Sequence, residues 1–90
     1  MATLFKVGEK PKEIEPKNGS DFQLEEVWDL IGGYVQVIEL HAGRIMIVDE
    51  EGLWKNLPFN AEATAHVARH CNYPHTIVGT ALLCKTKEFK

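Results

Sequence analysis

The residues best suited to metal chemistry are two histidines and two cysteines in the C-terminal half of the chain. His66 and His70 are four residues apart, a spacing that places them on one helical face and that zinc ligands use. Cys71 or Cys84 could complete a structural zinc site. However, position 67 is valine where the zinc-protease motif carries its general-base glutamate, and paired histidines on a small helix are more often exposed or core residues. We therefore expect no metal and no other cofactor.

Charge is distributed unevenly along the chain. Residues 1–52 hold 11 acids and 5 bases, whereas residues 53–90 hold 2 acids and 5 bases together with three of the four histidines. The free N–H groups at a helix start, with bases beside them, bind anions. This pattern predicts an anion site formed by Lys55, Arg69 and Lys85 near the start of a second helix. The alternative is that the charges alternate across the fold for solubility alone.

Six residues form the predicted ligand site, and the ligand that would suit them is a nucleotide or another anionic small molecule. Two of them are aromatic and would stack on a base, and four are polar. The predicted ligand-binding residues are Tyr34, Trp54, Lys55, Asn60, Thr64 and Arg69. The structural alternative makes each aromatic a lid on the edge of a sheet. It also leaves Asn60 as a helix cap, with the Thr64 side chain bonded back to the carbonyl of residue 60.

Other kinds of chemistry find little support in the sequence. Ser20 is the sole serine and lies in a turn, and there is no Gly-x-Ser-x-Gly or phosphate-cradling motif, so we expect no enzyme. Cys71 and Cys84 fit a reduced cytoplasmic setting as small buried side chains. Whether they form a disulfide with each other is a question that the sequence leaves open. A net charge of −3 disfavours nucleic acid as a partner. No apolar run reaches the roughly 18–20 residues that span a membrane.

Helical periodicity is clearest in residues 24–31. Leu24, Val27, Trp28 and Ile31 fall on one face, Gln23 would be a weak N-cap, and Gly32 suits the left-handed residue that ends a helix. Glu26 would close a capping box with Gln23, and Phe22 would staple onto Val27. A second helix is predicted over residues 61–71, with Asn60 as its N-cap, Ala63 and Val67 facing inward together with His70 or Cys71, and residues 72–75 ending it.

Strand-like segments occupy most of the remaining chain. Residues 34–40 and 44–48 are rich in β-branched side chains and are predicted to pair antiparallel through a three-residue linker. Residues 76–84 are almost continuously apolar, which is typical of a central strand buried on both faces. Residues 2–7 read as a first strand, residues 13–16 as a short edge strand between prolines, and residues 53–57 as a further short strand. The sequence thus predicts one α+β domain over residues 1–90, a mostly antiparallel sheet of four to five strands with two helices packed on one face.

Four motifs in this order resemble a known family. They are a helix followed by Gly-Gly and a hydrophobic strand (residues 24–37), a Glu-Glu-Gly turn (47–52), Leu-Pro-x-Asn-x-x-Ala-Thr (57–64) and a Val-Gly-Thr strand (77–83). Together they are similar to the small domain-of-unknown-function proteins, type 3846, of bacteriophages and mobile elements. The resemblance implies such an origin and action in a bacterial host cytoplasm, and it brings no established reaction. His66, His70 and Cys71 lie outside the family's motifs.

The sequence and the resemblance together predict a non-catalytic binding protein. It would sequester or inhibit a host factor, or an anionic nucleotide signal, in the conflict between phage and host. The competing hypothesis is a protein–protein interaction module that oligomerises through a sheet edge and has no small-molecule ligand. A domain this short buries only about 60–65% of its unfolded surface, so a homo-oligomer would complete the burial.

Overall fold

Five strands and two helices follow one another in the computed structural model, which describes residues 2–52, 54–71 and 75–89. The strands are β1 (Ala2–Phe5), β2 (Lys12–Ile14), β3 (Val35–Glu39), β4 (Arg44–Asp49) and β5 (Ala81–Lys85), and the helices are α1 (Leu24–Ile31) and α2 (Ala61–His70). No helix in this described part of the chain is both long and apolar enough to cross a lipid bilayer.

The five strands form one antiparallel sheet in the order β2-β1-β5-β4-β3. β5 therefore occupies the centre, as its continuous apolar character predicted, although it begins only at Ala81. On one side Leu83 pairs with Thr3, and on the other side with Met46. The predicted pairing of β3 with β4 is confirmed, and so is the position of β2 at an edge.

The two helices lie on opposite faces of the sheet, and the prediction that both cover one face is wrong. Successive residues of β4 alternate between two separate hydrophobic clusters. Ile47 packs in the cluster that contains Val27 of α1, whereas Met46 packs in the cluster that contains Val67 of α2. The physical reason is that β4 and β5 are apolar at almost every position, so both faces of the sheet require cover. The α+β class itself is confirmed.

Helix α1 begins and ends at the predicted residues, but its capping box is absent. Gln23 is the N-cap without a side-chain capping bond, and Nε2 of Gln23 instead donates to Oδ1 of Asp21. The carboxylate of Glu26 accepts a hydrogen bond from the backbone N–H of Lys17 rather than from the N-cap. Gly32 adopts φ +94°, so the predicted left-handed end of the helix is confirmed.

Helix α2 is capped by Asn60 as predicted, and of the two candidates for its inward position Cys71 packs against the core while His70 is exposed. Residues 54–56 form a turn rather than a strand, because the chain folds back so that the N–H of Leu57 bonds to the carbonyl of Gly52. Leu53, which the predicted strand included, lies outside the described residues, as do residues 72–74, which were predicted to end α2.

The two cysteines are free thiols on opposite faces of the sheet. Cys71 packs against the α2 cluster, whereas Cys84 belongs to the α1 cluster. The sheet lies between them, so the question of a disulfide that the sequence left open is answered by their separation onto two faces.

Candidate functional site

An open groove of about 570 Å³ lies where α1 turns into β3, and two aromatic rings form part of its wall. Gly32 ends the helix, and the chain reverses so that the carbonyl of Tyr34 accepts a hydrogen bond from the N–H of Glu50. This places the Tyr34 ring edge-on to Trp28, with ring centroids 5.9 Å apart and planes at 89°. Such pairs contribute about 0.5–1.5 kcal/mol beyond their buried area.

Both rings remain available to a ligand. Tyr34 is 63% exposed and Trp28 is 37% exposed, although Trp28 lies on the helical face that the periodicity assigned to the core. Sequence reasoning therefore missed Trp28 as a member of the site. The signal that could have found it is its position one turn before Gly32, which points it at the residue that follows the double glycine.

Lys55 lines the groove and is held there by an ion pair. Its Nζ lies 2.9 Å from Oδ2 of Asp49, whose side chain is 2% exposed. Asp49 also accepts a hydrogen bond from the N–H of Glu51, which fixes the turn after β4. The hydrogen bond to Asp49 raises the pKa of Lys55, so the ammonium stays charged.

The second glycine of the pair makes room for this ion pair. A Cβ on Gly33 would lie 2.5 Å from Nζ of Lys55 and 3.5 Å from Oδ2 of Asp49. Gly32 is required for its backbone conformation, whereas a side chain at position 33 would push the flexible end of Lys55 away from Asp49. The double glycine therefore ends the helix and admits the lysine at the same place.

The charges around the groove differ from those of a simple anion site. Asp29 and Glu51 line it together with Lys55, and the charge of Lys55 is already balanced by Asp49. A ligand with several phosphates would meet two carboxylates for one paired lysine. The geometry favours an occupant with a flat ring and little negative charge, stacked on Tyr34.

Trp54 stands beside this groove and not in it. It lines a smaller neighbouring cavity of about 170 Å³ with Glu50 and His75 among others. Its side chain is 88% exposed, so it does not act as a lid on the sheet edge. Of the six predicted ligand-binding residues, the groove brings together only Tyr34 and Lys55.

Asn60 and Thr64 are used inside the fold, which corrects their assignment to ligand binding. Asn60 is 2% exposed, its Oδ1 accepts from the N–H of Ala63, and its Nδ2 donates to the carbonyls of Phe5 and Gly79. The Thr64 hydroxyl accepts from the N–H of Ile77 at 2.9 Å and does not bond back to residue 60. Through these bonds both side chains hold α2 against the segment before β5. Their polar atoms are thus satisfied within the fold, as is usual for buried polar groups.

The predicted anion site at the start of α2 does not form from the predicted bases. Arg69 is exposed in the last turn of α2, at the far end of the helix, and Lys85 ends β5 opposite Arg44. The bases that line the cavity at the start of α2 are instead Lys6 and Lys10, and two carboxylates, Glu9 and Glu62, accompany them. The sequence could not show this, because it requires knowledge of where the loop after β1 lies.

The rings of the histidine pair lie close together at a tilt of 37°, but no metal-ligand set gathers around them among the described residues. The rings of His66 and His70 are 4.4 Å apart, while the Cys71 thiol lies 3.5 Å from the carbonyl of Glu39 and Cys84 lies on the other face of the sheet. Within residues 2–52, 54–71 and 75–89, no three His, Cys, Asp or Glu side chains are placed to hold a metal ion. Burial, together with the nearby charges of His70, Arg69 and Arg44, lowers the pKa of His66.

Two groups that could act as nucleophiles are the Ser20 hydroxyl, which lies in a turn, and the Cys84 thiol, which is buried. Ser20 bonds to Oδ1 of Asn18 in an exposed turn. Burial raises the pKa of the Cys84 thiol to about 12, with Glu88 adding to the shift, so this thiol stays protonated near neutral pH.

Comparison with known proteins gives a family without an assigned activity. The family model described as a domain of unknown function, DUF3846, matches residues 2–90, which is nearly the whole chain. No curated protein and no solved structure matches the chain significantly.

Proposed function

The chain belongs to the DUF3846 family, which has no assigned activity, and we propose that it is a non-catalytic binding protein. Its occupant is a host factor or a nucleotide-type signal, and its setting is the bacterial cytoplasm during conflict between a phage or mobile element and its host. The order of the four family motifs along the chain supports the phage setting. The observation that carries the binding role is the groove with its exposed Trp28 and Tyr34 rings.

The groove suits a base-bearing ligand of low negative charge. A base would stack on Tyr34, since a base on an aromatic side chain contributes about 1–3 kcal/mol. A single anionic group could approach the ammonium of Lys55, whereas further phosphates would face Asp29 and Glu51. A nucleoside or nucleoside monophosphate is therefore expected to bind more tightly than the corresponding triphosphate.

Calorimetry against a panel of nucleosides, nucleoside monophosphates and triphosphates tests this proposal. Tyr34→Ala should weaken binding roughly 5–150-fold, which corresponds to the loss of about 1–3 kcal/mol of stacking. Phe59→Ala is the matched control, because Phe59 is also an exposed aromatic, at 55%, but precedes α2. The absence of heat with every member of the panel, together with an unchanged melting temperature, would rule out the nucleotide form of the proposal.

A second candidate function rests on a different observation. β3 lies at an edge of the sheet with Gln36, Val37 and Glu39 exposed, which supports a protein–protein interaction module that oligomerises through a sheet edge. Native mass spectrometry of the purified chain separates the two candidates. A dimer mass with no bound small molecule favours the interaction module, and a monomer that binds a panel member favours the groove.

A further inference from the structure

The groove beside α1 carries more negative than positive charge. Asp29 and Glu51 line it, and within the described part of the chain neither of these side chains forms a hydrogen bond or an ion pair. The ammonium of Lys55 is already neutralised by Asp49, whose carboxylate lies 2.9 Å away. The two remaining carboxylates therefore attract a cation and repel an anion.

The position of Asp29 is unfavourable for the helix that carries it. Asp29 lies in the last turn of α1, at the negative end of the helix dipole, and that turn contains no base. The remainder of α1 adds Glu25 and Glu26 and no lysine or arginine. A cation bound beside Gly32 is therefore stabilised by the Asp29 carboxylate and by the end of the helix together.

Exposed apolar side chains continue from the groove along α1. The Tyr34 ring stands edge-on to Trp28, and both rings are exposed. Leu24 lies one turn before Trp28 on the same helical face and is exposed as well. Tyrosine and tryptophan beside such an apolar surface are typical of sites where another protein docks.

We propose that this groove binds an arginine side chain from a basic segment of a protein partner. The guanidinium stacks flat on the exposed Tyr34 ring, and its N–H groups face the carboxylates of Asp29 and Glu51. Apolar neighbours of that arginine in the partner cover Leu24. The inference rests on the proposed function, and it gives the host factor a chemistry, that of a protein with an exposed basic segment.

Arginine fits the groove better than the other candidate occupants. Its guanidinium is planar, stays charged, stacks on aromatic rings and presents five N–H donors to carboxylates. A lysine ammonium is a compact point charge that does not lie flat on a ring, and a quaternary ammonium has no N–H to donate. A nucleotide shares the flat ring, but its phosphate meets the carboxylates of Asp29 and Glu51.

Nuclear magnetic resonance titration with three peptides tests the charge and the shape of the occupant. The probe is an N-acetylated, C-amidated pentapeptide with a central arginine among glycines and serines, and the comparison peptides carry lysine or citrulline in its place. The reporter is the indole N–H resonance of Trp28. A Trp54→Phe background leaves it as the one indole signal, because the chain has two tryptophans and Trp54 lies outside the groove.

The arginine peptide should shift the Trp28 resonance saturably. Citrulline is flat but neutral, so its peptide should bind at least about tenfold more weakly. The lysine peptide should bind about threefold more weakly, because its ammonium neither stacks nor pairs through two bonds.

Asp29→Asn separates recognition from folding. Loss of this charge should weaken binding of the arginine peptide about five- to tenfold. The same change removes a negative charge from the end of α1, so the melting temperature should rise by roughly 1–8 °C. Glu62→Gln is the matched control, because it removes one carboxylate from α2 on the opposite face of the sheet. It should change the dissociation constant by less than about twofold.

The results separate the inference from the proposed function. Binding that requires both the arginine charge and the Asp29 carboxylate supports the inference. Equal binding of the arginine peptide and either comparison peptide, or undiminished binding by Asp29→Asn, overturns it and leaves the groove as a binding site. A Trp28 resonance that a nucleoside shifts and the arginine peptide does not overturns the inference and leaves the nucleotide form of the proposed function. A resonance that no peptide and no nucleoside shifts overturns both.

Discussion

Replacing Asn60 by alanine should be among the most damaging single changes in this protein, because one side chain satisfies three backbone groups. Its Oδ1 caps α2 at the N–H of Ala63, and its Nδ2 donates to the carbonyls of Phe5 and Gly79. Loss of an N-cap costs about 1 kcal/mol, and each lost hydrogen bond costs about 1 kcal/mol net and more where the carbonyl is left unpaired. The expected loss is about 3 kcal/mol of the free energy of unfolding.

That loss is a large part of the roughly 5–15 kcal/mol that stabilises a small domain. At about 4–8 °C per kcal/mol for a chain of this length, the melting temperature should fall by about 12–24 °C. Urea unfolding followed by circular dichroism measures the free energy directly. Asn60→Ser keeps an oxygen for the cap but no amide donor, so it should recover about 1 kcal/mol and remain folded if the alanine variant does not.

Asn18→Ala is the matched control for this experiment. Asn18 also organises a turn by accepting from two backbone N–H groups, those of Ser20 and Asp21, but it is exposed and water can replace its bonds. Its loss should cost less than about 1 kcal/mol. An Asn60→Ala variant that unfolds within about 1 kcal/mol of the native chain would refute the reasoning, as would a serine variant no more stable than the alanine one.

Three further predictions concern the groove, the half-buried His66 and the thiols. Gly33→Ala should displace the ammonium of Lys55 and weaken the binding of a nucleoside monophosphate more than that of the nucleoside, measured by calorimetry, while the far-ultraviolet circular dichroism stays native. The pKa of His66 is lowered in the folded state, so the unfolded chain binds the proton more readily. The free energy of unfolding should therefore be highest above the unfolded pKa of about 6.5 and should fall as the pH drops below it. Urea titrations at pH 7 and pH 5 measure this difference, and His66→Gln should reduce it. Cys84, buried with a pKa of about 12, should react with a thiol reagent only after unfolding, whereas the half-buried Cys71 should react first; equal rates in the native protein would contradict the assigned burial.

The sequence predicts much of this fold because local signals act over a few residues. The Asn60 cap, the left-handed Gly32 and the pairing of β3 with β4 each depend on neighbours within one turn or one hairpin. The side of the sheet that each helix covers depends on contacts between distant parts of the chain, and local signals do not predict it. The apolar run of β4 shows that both faces are buried, but hydrophobic periodicity does not say which helix goes to which face.

The candidate site could be predicted only in part for the same reason. Tyr34 and Lys55 meet because the turn after β4 folds back on the end of α1, and that turn is fixed by Asp49. The sequence showed Asp49 as one member of an acidic turn and gave no sign that it is buried. Asn60 looked equally suited to a cap and to a ligand, and only its two additional carbonyl partners decide for the cap.

The central place of β5 has a consequence for how this chain reaches its native state. β5 joins the β1–β2 hairpin, made at the beginning of the chain, to the β3–β4 hairpin, made in its middle. Until residues 81–85 have left the ribosome, the two hairpins have no strand to connect them, and β1 and β4 each expose an edge of Ile, Leu or Phe. Pairing of Thr3 with Leu83 closes a loop of nearly the whole chain, which slows folding relative to a sheet of sequential hairpins. Assembly of this sheet during synthesis is therefore expected to be late and all at once, after residues 81–85 are free to pair.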